Sequence, residues 1–119
     1  MWRATLASYD YRCAISGIGI VPLLNASHII PWNANVERRA DPRNGIALNA
    51  LYDRAFDRGL ITFDEKFRLV LSATLKQKQV PALQKQAFID LEGQVLRLPS
   101  RFAPDTAALE FHRTRVFQS

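Results

Sequence analysis

His28 closes the run ASHII, Asn44 sits in the turn DPRNG, and Asp53 and Asp57 follow within ALYDRAFDR. A neutral imidazole works near physiological pH and can take a proton from water. Two carboxylates at i and i+4 of a helix lie on one face, about one turn apart. Such a pair suits a hard divalent cation, because Mg²⁺ takes one or two protein carboxylates and keeps water and phosphate for the rest. Base, amide and carboxylate pair together fit phosphodiester hydrolysis, with Arg54 and Arg58, interleaved with the acids, placed to hold flanking phosphates.

Each residue also has a plainer reading. His28 alone is a strand histidine satisfied by a backbone carbonyl. Asn44-Gly45 is a turn signature whatever else it does. Asp53 beside Arg54 matches a solvated helix face, and Asp57 near the helix end matches a salt bridge. Arg38, Arg39 and Arg43 flank the turn and suit either DNA backbone or solvent. For His112, Trp32 and Phe56 packing is the favoured role, and Lys76, Lys78 and Lys85 read as a solvated face.

The elements that must position these groups follow from local signals. Residues 2–9 have helical spacing at Trp2, Leu6 and Tyr9. ISGIGIVPLLNASHII reads as a turn feeding a strand that reaches His28, with Pro31 beyond its end. Asp41-Pro42 and Asn44-Gly45 mark turns, and the short strand IALN comes next. The helix ALYDRAFDR ends at Gly59 as its C′ residue. LITFDEKFRLVLSA predicts a hairpin around Asp64-Glu65-Lys66. PALQKQAFIDLEG predicts a helix closed by Gly93, and QVLRLP a strand. PDTAALEFHRTRVF predicts a helix capped by Asp105, with a mixed face of Leu109, His112 and Val116. The class is α+β.

Composition sets outer bounds. The 119 residues, 48% hydrophobic and 23% charged, suit one folded domain over 1–119. The 16 Lys and Arg against 11 Asp and Glu give a net charge of +5, which favours a polyanionic partner such as nucleic acid. Cys13 is the sole cysteine, so neither a disulfide nor a Cys-X-X-Cys zinc knuckle is available, and a small buried hydrophobe is expected there. No apolar run approaches the ~20 residues of a membrane span, and MWRATLASYDYRC lacks a signal-peptide core. A cytoplasmic protein is the expectation.

Taken in order, YRCAISG, ASHIIPW, DPRNGIAL, AFDRGLITFD, the LRLP near residue 99 and EFHRTRVF resemble the HNH endonuclease family, in its bacterial restriction-endonuclease-like branch. The resemblance implies a ββα-metal core of a short β-hairpin and helix, with flanking helices and a second β-hairpin. It implies a metal-dependent DNA endonuclease, with His28 as general base and Asn44 holding the loop that orients it. Asp53 falls nine residues after Asn44, at the family's third position, where a histidine is usual. Asp57 matches a further metal ligand of some members. Ser27 occupies a position that is often a ligand, and an oxygen-rich set of this kind favours Mg²⁺ or Mn²⁺, with no structural zinc. Arg38, Arg39, Arg43, Arg54 and Arg58 become DNA-backbone contacts. The family also implies an attached sensor or DNA-reading domain; whether a homodimer supplies a second cut is left open by the sequence. The alternatives are an HNH-fold nucleic-acid-binding module with impaired catalysis, from Ser27 and Asp53, and a non-enzymatic α+β interaction domain.

Overall fold

A computed structural model describes all residues, Met1–Ser119. Helix α1 spans Trp2–Ser8, strand β1 Leu24–His28, strand β2 Gly45–Asn49 and helix α2 Ala50–Asp57. Strands β3 (Ile61–Phe63) and β4 (Leu69–Leu71) form a second hairpin, followed by α3 (Ala82–Ala87) and α4 (Thr106–Phe111). This is the α+β architecture expected, with a ββα unit formed by β1, β2 and α2.

β1 and β2 pair antiparallel, with Leu24 opposite Asn49 and His28 opposite Gly45. Every residue of β2 is buried. Its outer edge does not stay open, because Ala14 N donates to Ala47 O at 2.8 Å. That contact satisfies backbone groups an edge strand would otherwise present to a second chain. Gly45 lets α1 lie close over the loop end of this hairpin. A Cβ there would sit 2.9 Å from Thr5 Oγ1 and 3.1 Å from Met1 Cε.

α2 starts directly from β2 because Asn49 caps it, its side chain accepting from Tyr52 N at 3.2 Å. Tyr52, Ala55 and Phe56 recur at helical spacing and are buried, which turns Asp53 and Asp57 to another side. Gly59, at φ +74°, reverses the chain as expected for a C′ glycine. A Cβ at Gly59 would meet Val116 O at 2.2 Å, so the C-terminal segment is packed directly on the end of α2.

His112 completes that junction. It is buried, stacks on Phe56 with ring centroids 3.8 Å apart, and bonds Phe56 O through Nε2 at 2.9 Å. The carbonyl can only accept, so Nε2 carries the proton and Nδ1 accepts from Thr62 Oγ1 at 2.8 Å. Burial pushes the imidazole down to about 4, against the opposing effects of the Phe56 carbonyl and Asp57. Packing is therefore its role, as its neighbours in the sequence suggested. Cys13 is likewise fully buried.

Three expectations are corrected. The helix anticipated over 81–93 stops at Ala87, and a 3₁₀ turn at Ile89–Leu91 follows. Phe88 leaves helical geometry (φ −128°, ψ −67°) to pack edge-on against Tyr52, whose hydroxyl donates to Ala87 O at 2.7 Å. The strand anticipated in QVLRLP is reduced to a single bridge between Arg68 and Val95. Arg97 N turns instead to Ala14 O, and Pro99 has no N–H to continue a ladder. The last helix ends at Phe111, and residues His112–Val116 form one wide π turn.

Candidate active site

β1 carries Asn25 and Ser27 two residues apart, so both side chains point to the same face of the hairpin. That face meets α2. Ser27 Oγ donates to Asp53 Oδ1 at 2.5 Å, and Asn25 Nδ2 donates to Asp53 Oδ2 at 3.1 Å. Both carboxylate oxygens are thereby fixed, yet each oxygen keeps lone pairs for another partner. Asp57 is exposed one turn further along α2, on the same side.

His28 stands at the end of β1, half-buried. Its Nε2 lies 3.0 Å from Arg39 O. A carbonyl cannot donate, so the bond fixes the proton on Nε2 and leaves Nδ1 as the nitrogen able to accept one. The carbonyl contact of a satisfied strand histidine is thus present, and Nδ1 is not the nitrogen that makes it.

Asn44 is buried in the loop that brings the chain back to β2. Its Oδ1 accepts from Ile30 N at 2.9 Å, its Nδ2 donates to Ile30 O at 3.2 Å, and its own carbonyl accepts from Ile29 N at 2.9 Å. The side chain clamps the residues directly after His28 and touches nothing in the cleft.

These groups open onto a cleft of about 600 Å³ whose walls include His28, Ser27, Asn25, Asp53, Asp57 and Arg39. The arginines separate by location. Arg39 stands on the cleft wall. Arg38 is tied to Asp105, the N-cap of α4. Arg43 is exposed and loosely paired with Asp41 at 3.8 Å. Arg54 and Arg58 are exposed but lie about 100° around α2 from their acidic neighbours, and neither lines the cleft. Lys76 and Lys85 sit in exposed ion pairs with Glu92 and Asp90.

Two side chains were misplaced by sequence reasoning. Trp32, expected in the core, is 56% exposed on the cleft wall, and Trp2, 44% exposed, lines the same cleft. Asn25 was passed over, although the two-residue period of a strand ending at His28 puts it beside Ser27. No sequence signal pointed to the Arg39 carbonyl.

No three His, Cys, Asp or Glu side chains converge into a ready-made metal cage. The oxygens that do converge are the Asp53 carboxylate and the Ser27 hydroxyl, while Asn25 presents its amide N–H to the carboxylate. They fit a largely hydrated hard cation, Mg²⁺ or Mn²⁺, better than a softer one.

A two-stranded hairpin, a clamped loop and a helix form a ββα unit that places a strand-end histidine and a helix carboxylate on the wall of one cleft. Residues 13–64, which contain all of it, match the family model of HNH endonucleases. The structure also resembles a solved one titled Modification dependent TagI restriction endonuclease, with a TM-score of 0.69 and 16% sequence identity. At that identity the likeness is one of fold. It covers 97% of this chain and 36% of the other, so the chain spans about a third of that enzyme. No curated protein matches the sequence. No helix is long and apolar enough to cross a membrane.

Proposed function

We propose that residues 1–119 form one domain acting as a metal-dependent DNA endonuclease that hydrolyses phosphodiester bonds. The observation that carries this reading is the meeting of His28 and Asp53 in one cleft, each pre-oriented by hydrogen bonds to its own support. His28 Nδ1 takes a proton from water as the water oxygen bonds to phosphorus and the bond to the leaving 3′ oxygen breaks. Arg39 O holds the ring and its tautomer through that transfer. Asn44 fixes the loop behind it, and Ser27 and Asn25 hold the Asp53 carboxylate. Asp53, with Asp57 one turn away, would hold the Mg²⁺ or Mn²⁺, which supplies neutralisation of charge on the phosphate and the leaving oxygen. Arg39 and Arg43, with Arg38, Arg54 and Arg58 further out, contact backbone phosphates and confer no base preference.

The test is nicking of supercoiled plasmid with Mg²⁺, Mn²⁺ or EDTA by the parent protein and by His28→Ala. Metal-dependent nicking that falls roughly 10²- to 10⁴-fold in the variant is the expected result. Undiminished nicking in the variant would overturn the assignment of His28.

One observation favours a second reading, a nucleic-acid-binding module. Both Asp53 oxygens are engaged by Ser27 and Asn25, and Ser27 adds no charge for a cation. That reading predicts DNA bound with a steep salt dependence and no cleavage under any metal. A non-enzymatic interaction domain would show neither. One such centre cuts one strand, so a double-strand break calls for a homodimer. Within a longer protein, an attached sensor or DNA-reading domain would choose the target.

A further inference from the structure

We infer that Trp32, backed by Arg39, is a stacking platform for a nucleobase of the strand being cut, so that the cleft prefers DNA whose bases are free to unstack. The inference rests on the nuclease reading of the same cleft and names the form of substrate it takes.

The geometry is specific. The two tryptophans of the chain are both about half exposed, and both stand on the wall of the His28–Asp53 cleft. Trp32, at 56% exposure, presents a large aromatic surface to solvent on the cleft wall. The Arg39 guanidinium lies 3.5 Å from the Trp32 ring centroid, and Arg39 Nε donates to Trp32 O at 3.1 Å. One face of the indole is therefore backed by a cation and its orientation is fixed. The rest of the ring stays open beside the cleft.

Cation and aromatic face together are the two components with which proteins grip single-stranded nucleic acid, one for phosphate and one for the base. In a closed duplex each base face is already covered by its neighbours. A base reaches Trp32 only where the strand is single, mismatched or nicked. Arg39 also connects this platform to the chemistry, since its carbonyl holds His28 Nε2. A strand seated on Trp32 rests against the residue that sets the tautomer of the base.

The experiment measures binding in EDTA, where no cleavage intervenes, using a dye-labelled 12-nucleotide oligothymidylate and a labelled duplex of the same length. Parent, Trp32→Ala, Trp32→Phe and Arg43→Ala are compared across a salt series, and plasmid nicking is followed separately in Mg²⁺. Trp32→Ala should weaken single-strand binding roughly 5- to 100-fold, with duplex binding changed less than about threefold and the salt slope unaltered. Trp32→Phe should recover most of the loss. Arg43→Ala should weaken both DNA forms together and lower the salt slope by about one. Trp32 is exposed, so melting temperatures should match. Were the alanine variant to misfold, the phenylalanine variant against Trp32→Leu, similar in size but without a π face, makes the same comparison. Equal losses on both DNA forms, or none, would overturn the inference while leaving the nuclease reading to the nicking assay. A parent that binds neither DNA form would also overturn it. Binding with the expected pattern but no nicking in any metal would keep the platform and remove the nuclease.

Discussion

Asn44 offers a sharp separation between positioning and chemistry. Its side chain is 1% exposed and satisfies both backbone groups of Ile30, two residues beyond His28. Replacing it with alanine removes two hydrogen bonds and leaves a buried N–H and a buried C=O without their partners. Each such group costs about 1–3 kcal/mol, so the expected loss is about 2–6 kcal/mol. A water entering the vacated space would bring the cost toward the lower figure. A domain of this size has about 5–15 kcal/mol in total, so the variant should be severely weakened but measurable by urea denaturation at low temperature. Asn44→Asp supplies an internal check. Its carboxylate can still accept from Ile30 N, but it faces Ile30 O with no proton to give. Above the carboxyl pKa it should be destabilised as well, and it should recover part of the difference from the parent as acid protonates it and restores a donor. Nicking by either variant should fall together with the folded fraction. A variant within about 1 kcal/mol of the parent in stability, yet without nicking, would refute the clamp and place Asn44 in the reaction itself.

His112 makes the fold acid-sensitive. Its pKa is about 4 in the fold against 6.5 for the free side chain, so below 6.5 the unfolded chain binds the extra proton. Its contribution is complete above pH 6.5 and is lost progressively as pH falls toward 4, by about 3 kcal/mol. Urea titrations at several pH values should show that slope shrink in His112→Gln, and an unchanged slope would contradict it. Gly59→Ala should lower the melting temperature sharply. The φ of +74° disfavours any side chain, and the new Cβ has the Val116 carbonyl, a backbone atom, in its path. A melting curve within a degree of the parent would show that the C-terminal segment is not seated there. Ser27→Asp should place a second carboxylate against Asp53, lowering thermal stability in EDTA. Millimolar Mn²⁺ should then raise the melting temperature of the variant more than that of the parent, which follows if the cation binds between the two residues. Equal shifts would locate the cation elsewhere.

Much of the ββα unit was legible in the chain because its signals are local. The strand ending at His28, the Asn44-Gly45 turn, the helix face of Asp53 and Asp57 and the reversal at Gly59 each depend on a few neighbouring residues and on fixed strand and helix periods. The Asn49 cap of α2 was equally local, although IALN read only as a strand. Contacts between distant residues were not legible. Asp53 is held by Ser27 and Asn25, 26 and 28 positions away, and Arg38 is drawn off to Asp105, 67 positions away. Phe88 broke its helix because Tyr52, on a different helix, offered a better contact than another helical turn. The exposure of Trp32 and the carbonyl that fixes the His28 tautomer belong to the same class. Periodicity states which side of a strand or helix a residue occupies, but only the packed chain decides what lies opposite. The sequence alone thus determined the kinds of groups available and their spacing along each element. The tertiary structure decided which of them share a cleft, because hydrogen bonds and burial act through space between segments that composition and local pattern leave unconnected.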